Sequence, residues 1–168
     1  MRTLFVRAAC GLALCCAAAV SQAQTITIPL RGFEEVPSIS SGAHGMFRAR
    51  VDNGAIAYRL SYEGLQGDVR QAHIHLGQKS VNGGVSVFLC QTAANPDPTG
   101  LAPTCPASGE IAGLLLPANI IGPSGQGITA GEFAELVAAI RKGVAYVNVH
   151  STLFPAGEIR GQLDHGDR

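Results

Sequence analysis

The stretch Gln71 Ala72 His73 Ile74 His75 Leu76 Gly77 decides how the chain is read, and Tyr146 Val147 Asn148 Val149 His150 answers it near the C-terminus. β-Branched and aromatic residues dominate both segments and their polar residues recur at alternate positions, so both are read as strands. Side chains two apart on a strand point the same way, which places His73 and His75 on one face and Ala72, Ile74 and Leu76 on the other. Two imidazoles are thus held close together on a stiff element. If the strand carrying His150 lies alongside, a third imidazole joins them, and such a set suits copper or zinc with an open position for water or substrate. The alternative fate of these histidines is structural, packed beside aromatic rings or bonded to backbone carbonyls.

Working outward, the same alternation recurs. Phe47, Ala49 and Val51 oppose Met46, Arg48 and Arg50, and after the turn Asp52 Asn53 Gly54 the residues Ile56, Tyr58, Leu60 and Tyr62 alternate with Ala57, Arg59, Ser61 and Glu63. That pair predicts a hairpin. Residues 25–30 read as an opening strand with Pro29 marking its edge or end. Asn82 Gly83 Gly84 turns the chain into a strand over 85–90, and 109–116, 144–150 and 158–163 supply further strands. One helix is signalled: Thr129 and Glu132 form a capping box, Phe133, Leu136, Val137 and Ile140 share a face, and Gly143 suits a left-handed C-cap. The expectation is an all-β fold, a Greek-key β-sandwich or barrel of about eight strands with one short helix.

The N-terminus reads as an export signal. Arg2 and Arg7 precede an apolar run over 8–20 and the small-x-Ala site Ser21 Gln22 Ala23. Removal of residues 1–23 leaves 24–168, the size of a single domain, in a secreted or periplasmic setting. Leu14 is bulky where a lipoprotein signal needs a small residue before Cys15, and glycine and proline interrupt every later apolar segment, so neither a lipid anchor nor a transmembrane span is expected in the mature chain. The signal carries Cys10, Cys15 and Cys16 away, leaving Cys90 and Cys105 in an oxidising compartment. A disulfide is the expected outcome and two free thiols the alternative. Without Arg2 and Arg7, the 12 basic residues become 10 against 12 acidic ones, a formal charge of −2. No basic stripe survives, which argues against nucleic acid or an anionic membrane as partner.

The histidine segments, the run Pro155 Ala156 Gly157 Glu158 Ile159 Arg160 Gly161 Gln162 Leu163 and the opening Leu30 Arg31 Gly32 Phe33 Glu34 Glu35 Val36 Pro37 together resemble the CHRD domain. That module is named for chordin, an extracellular binder of growth factors, and is also found in many secreted bacterial proteins. The resemblance implies a secreted β module that binds a protein or small-molecule ligand. A second resemblance is to copper-zinc superoxide dismutases, which carry a His-x-His strand and a later Val-His strand on a Greek-key barrel with a disulfide. It implies copper ligation by His73, His75 and His150 and an alternative redox or superoxide dismutase-like function. No histidine lies between His75 and His150, however, so that family's bridging histidine and zinc loop have no counterpart.

Three more residues bear on the site. Asn148 lies two before His150 on the same side, and Glu158 and Arg160 share a face of the last strand. Each is read either as a support that orients a ligand histidine or as a structural group, with Glu34 or Glu35 as an ion-pair partner for Arg160. His44 is a further candidate nitrogen, and His165 falls in a solvated tail. Ser151 sits on the opposite face from His150, and no Gly-x-Ser-x-Gly elbow or phosphate-cradling glycine loop occurs, which argues against those reaction classes. Exposed strand edges leave the oligomeric state open.

Overall fold

A computed structural model describes residues 23–164. The proposed signal peptide, apart from Ala23, and His165 lie outside the described residues. Eight strands form one antiparallel, nearly closed barrel-like sheet: β1 (Gln24–Arg31), β2 (His44–Val51), β3 (Ile56–Glu63), β4 (Val69–Leu76), β5 (Gly84–Cys90), β6 (Gly109–Leu115), β7 (Ala145–Ser151) and β8 (Ile159–Gln162), with α1 (Phe133–Arg141) between β6 and β7. Their spatial order is β5-β4-β7-β8-β1-β2-β3-β6. The expected all-β architecture with one short helix is therefore what the chain adopts.

Two halves of the sheet differ. In β1, β2 and β3 the apolar residues alternate with exposed ones, as a sheet with one wet face requires. Ile56, Tyr58, Leu60 and Tyr62 point inward onto Phe47, Ala49 and the rest of one apolar core. The hairpin turn forms as its residues dictate, with Asp52 Oδ1 accepting from the N–H groups of Gly54 and Ala55 at 2.9 and 2.8 Å. In β7 and β8, by contrast, every residue is buried, as are half of β4 and most of β5, the rest of both being half-buried. Ala72, Ile74, Val147, Val149 and Ile159 face the core. Their neighbours face the other way, beneath the loops around Glu35, Gly83 and Pro155.

Two sequence expectations shift slightly. Pro29 does not end its strand: β1 continues to Arg31, and Pro29 sits opposite Met46. Its missing N–H is tolerated because β1 meets β8 at one register pair, Arg31 with Arg160. The helix begins at Phe133, later than a cap at Thr129 implies, because residues 129–132 form a turn of their own. Glu132 still accepts from the Thr129 N–H at 2.6 Å, Gly143 adopts φ +68°, and the predicted apolar face packs into the core. Cys90 and Cys105 are joined by a disulfide. It fastens the end of β5 to the loop before β6, and closing a loop of that size contributes about 3 kcal/mol in the chain-entropy model. Tyr58 ties the two halves together inside the barrel, its hydroxyl donating from β3 to the Leu89 carbonyl of β5 at 2.5 Å.

Candidate metal centre

The ladders around β7 bring the distant segments side by side. His73 lies opposite Asn148, His75 opposite Tyr146 and Gln71 opposite His150, while Asn148 and Tyr146 in turn face Arg160 and Gln162 across β8. Strand alternation then puts His73, His75, Tyr146, Asn148, His150, Arg160 and Gln162 on one face. Twice β5 inserts an extra residue where it runs beside the His-x-His pair, and bulges of this kind re-aim side chains.

The three imidazoles converge. His73, His75 and His150 are 2, 7 and 5% exposed, and one ring nitrogen from each falls within 4.8 Å of the others. His73 Nδ1 is 3.0 Å from His150 Nε2. Two nitrogens at about 2.0–2.1 Å from a shared ion stand about 3 Å apart, so this pair already has ligand spacing. Ligands of one ion lie within about 4 Å of one another, so the widest separation must contract by about 1 Å.

Backbone carbonyls fix the ring orientations. His75 Nδ1 donates to the Gly83 carbonyl at 2.9 Å and His150 Nδ1 to the Pro155 carbonyl at 3.0 Å. A carbonyl only accepts, so both protons sit on Nδ1; the His75 Nε2 lone pair is left without a partner, while that of His150 accepts from His73 Nδ1 until an ion takes the place of that proton. Gly83 has to be glycine: a Cβ there would lie 1.6 Å from the Leu76 carbonyl oxygen. Ring contacts hold the rest. Phe88 meets His73 edge-on at 4.2 Å, and Tyr146 stacks on His75 with centroids 4.7 Å apart and planes 6° apart. On Tyr146 in turn rests Arg160, its guanidinium carbon 3.4 Å from the ring centre, with its nitrogens donating to the Val81 and Gln78 carbonyls at 3.0 and 3.3 Å.

Burial keeps the set neutral. It drives His73 down to about 2, helped by the charges of His150 and His75, and it drives His75 and His150 each down to about 4. The ordinary histidine range is thus displaced, and a metal meets no proton competition near neutrality. Glu35 is pushed the opposite way, up to about 7, again by burial, with Arg160 working against the shift. Asn148 stands beside both the Glu35 carboxyl and the His75 ring. His73 Nε2, His75 Nε2, Asn148 Oδ1 and Glu35 Oε1 are all buried without an aligned hydrogen-bond partner. Ser86 Oγ and Glu158 Oε2 are buried without a partner as well. Orphaned buried polar atoms are costly, and the unpartnered His75 Nε2 within the three-histidine group fits a site that accepts an ion.

The other candidates fall elsewhere. Glu158 is fully buried, but its Oε1 accepts from Ser41 Oγ at 2.7 Å and from the Gln66 N–H at 2.8 Å. His44 is exposed and pairs with Glu63 at 2.8 Å, away from the three histidines. Arg160 and Glu35 influence one another's charge, and among the described residues neither makes an ion pair within 4.0 Å.

Sequence reasoning missed Tyr146, Phe88 and the two carbonyls, and it read Glu35 only as an ion-pair partner for Arg160. Tyr146 was within reach, since it shares the alternation of Asn148 and His150. Phe88 was not, because the bulges in β5 break the alternation that would have placed it. Glu35 needs Gly157, which has φ +136° and would carry a Cβ 2.3 Å from Glu35 Oε1.

Neither a curated protein nor a solved structure matches the chain. The family model of the CHRD domain matches residues 26–163, from the first strand to just past the last. The histidine strands, the Glu-Glu-Val-Pro segment and the closing strand all fall within that span, and the chain belongs to the CHRD domain family.

Proposed function

We propose that the protein is an exported CHRD module that holds one copper or zinc ion between β4 and β7, with His73, His75 and His150 as ligands. The observation that carries this reading is the convergence of three neutral ring nitrogens within 4.8 Å in a buried site. The donor set is right for either ion, since imidazole serves both. A disulfide and the N-terminal segment 1–23 support a secreted or periplasmic setting. Asn148, Tyr146 and Arg160 support the ligands, while Glu158 braces Ser41 and the 64–68 loop. When bound, the ion would supply charge and a redox or Lewis-acid centre; this chain's part is to hold neutral donors, fix their rings on two carbonyls and keep water out.

Dismutation draws less support than ion holding, because His73 Nε2 and His75 Nε2 are sealed from solvent. A scaffold that binds a protein or small-molecule partner without metal is the competing function. Elemental analysis separates the two after the protein is refolded without metal, offered copper or zinc, and desalted. Close to one equivalent, lost in His75→Ala, is expected. Less than about half an equivalent, unchanged by His75→Ala, would leave only the scaffold.

A further inference from the structure

We infer that the three-histidine centre is built for a monovalent ion, cuprous copper, in preference to cupric copper or zinc. This rests on the metal reading above and names which ion that site takes.

The charge around the ligands carries the inference. Moving an ion out of water costs free energy that grows with the square of its charge, so a dication pays about four times the penalty of a monocation of equal size. Many sites for zinc and cupric ions offset this with thiolate or carboxylate ligands, or with carboxylates behind the histidines, and a three-histidine zinc site does without an anionic protein ligand only by keeping an open position for water. No such anion is in place here. All three ligands are neutral imidazoles, and the groups behind His75 and His150 are the carbonyls of Gly83 and Pro155, dipoles without net charge.

The formal charges that face the ligands are cations. Arg160 rests on the ring that stacks against His75, and its charge reaches that histidine. Arg70 acts likewise on His150, and its own side chain is bound to Asn95 Oδ1 at 2.6 Å, an uncharged acceptor. Among the described residues neither arginine makes an ion pair. The carboxyl nearest this network, Glu35, is 5% exposed and held toward its neutral form, and Glu158 turns its Oε1 to Ser41 and the Gln66 N–H, with its Oε2 buried and unpartnered. A buried site with neutral ligands between two arginines tolerates one added positive charge far better than two.

Competition against chromophoric chelators tests this, with cuprous ion under anaerobic conditions and ascorbate, and with cupric and zinc ions in parallel. The wild type should bind cuprous ion at least about 100-fold more tightly than cupric ion, which raises the reduction potential of the bound copper above that of the aqueous couple by about 120 mV. Zinc should bind more weakly than cuprous ion. Arg160→Met should narrow the preference about tenfold, lowering the potential by about 59 mV, and Arg160→Lys should restore it. Arg70→Met should act in the same direction from the half-buried side and serves if Arg160→Met does not fold by circular dichroism. Zinc or cupric ion bound as tightly as cuprous ion, or a potential unmoved by both methionine variants, would overturn the inference and leave the metal reading standing. Failure to bind all three ions would overturn both.

Discussion

The sheet is two surfaces of different kinds joined edge to edge. Across β1, β2 and β3 each strand buries one set of side chains and wets the other, so Arg48, Arg50 and Arg59 face solvent while Phe47, Ala49 and Leu60 face the core. Across β4, β7 and β8 both sets are largely buried, and the second set is polar or aromatic: three histidines, a tyrosine, an asparagine, an arginine and a glutamine. Burying polar side chains is costly unless each finds a partner, and most of these do, in carbonyls of the covering loops. The first half shows what the fold needs to be stable. The second carries groups that stability alone does not call for, and that contrast marks it as the functional half.

The contrast is broken most forcefully by substitutions on either side of it. His75→Ala, and equally His73→Ala or His150→Ala, should cost more metal affinity than the roughly 10–100-fold expected for losing an outer partner, read by chelator competition, while circular dichroism stays that of the parent. Leu60→Ala, fully buried in the other half, should do the reverse. It should lower unfolding stability by about 2–5 kcal/mol in urea titrations and leave the metal stoichiometry of the folded protein unchanged. If both substitutions impaired both properties alike, the division between the halves would be false.

Acid should find the functional half first. The folded histidines have dropped from 6.5 to about 2, 4 and 4, so the unfolded chain takes up protons before the native one does as pH falls. Their contribution is therefore whole above about pH 6.5 and is lost on acidification toward pH 4. Glu35 acts in the opposite sense, since its rise from 4.5 to about 7 gives stability that is whole below pH 4.5 and lost as pH climbs toward 7. Three groups oppose one, so the metal-free protein should show falling urea midpoints from pH 7 to pH 4.5, and Glu35→Gln should steepen the fall. A flat or rising profile would show that these imidazoles are not held neutral by burial.

Smaller effects sharpen the picture. Gly157→Ala introduces a Cβ against Glu35 at a positive φ and should cost about 1–3 kcal/mol of stability, with Glu35→Ala recovering part of it in a double-mutant cycle. Arg50→Ala, on the wet face, should stay within about 0.5 kcal/mol of the parent.

The one-faced half was legible from the residues because its alternation is clean: Ile56, Tyr58, Leu60 and Tyr62 announce both strand and face. The histidine half was legible in its strands and in the sharing of one face by His73 with His75, and by Asn148 with His150. Its roof was not. Whether loops cover a polar face depends on pairings such as Gly83 to His75, Pro155 to His150 and Asn82 to Val36, which join residues through turns that carry no periodic signal. Burial of Arg160 followed the same route: a charged residue at alternate spacing reads as solvated until Tyr146 and the 78–82 loop are seen around it. Glu158 shared that fate, and its partners Ser41 and Gln66 lie far from it in sequence.

X-ray absorption at the copper edge, on protein loaded with one equivalent of cuprous copper, tests the central claim most directly. The account predicts a first shell of three imidazole nitrogens at about 2.0 Å, reduced in number by His150→Ala. A shell of sulfur or of oxygen alone, or three nitrogens that survive that substitution, would contradict it.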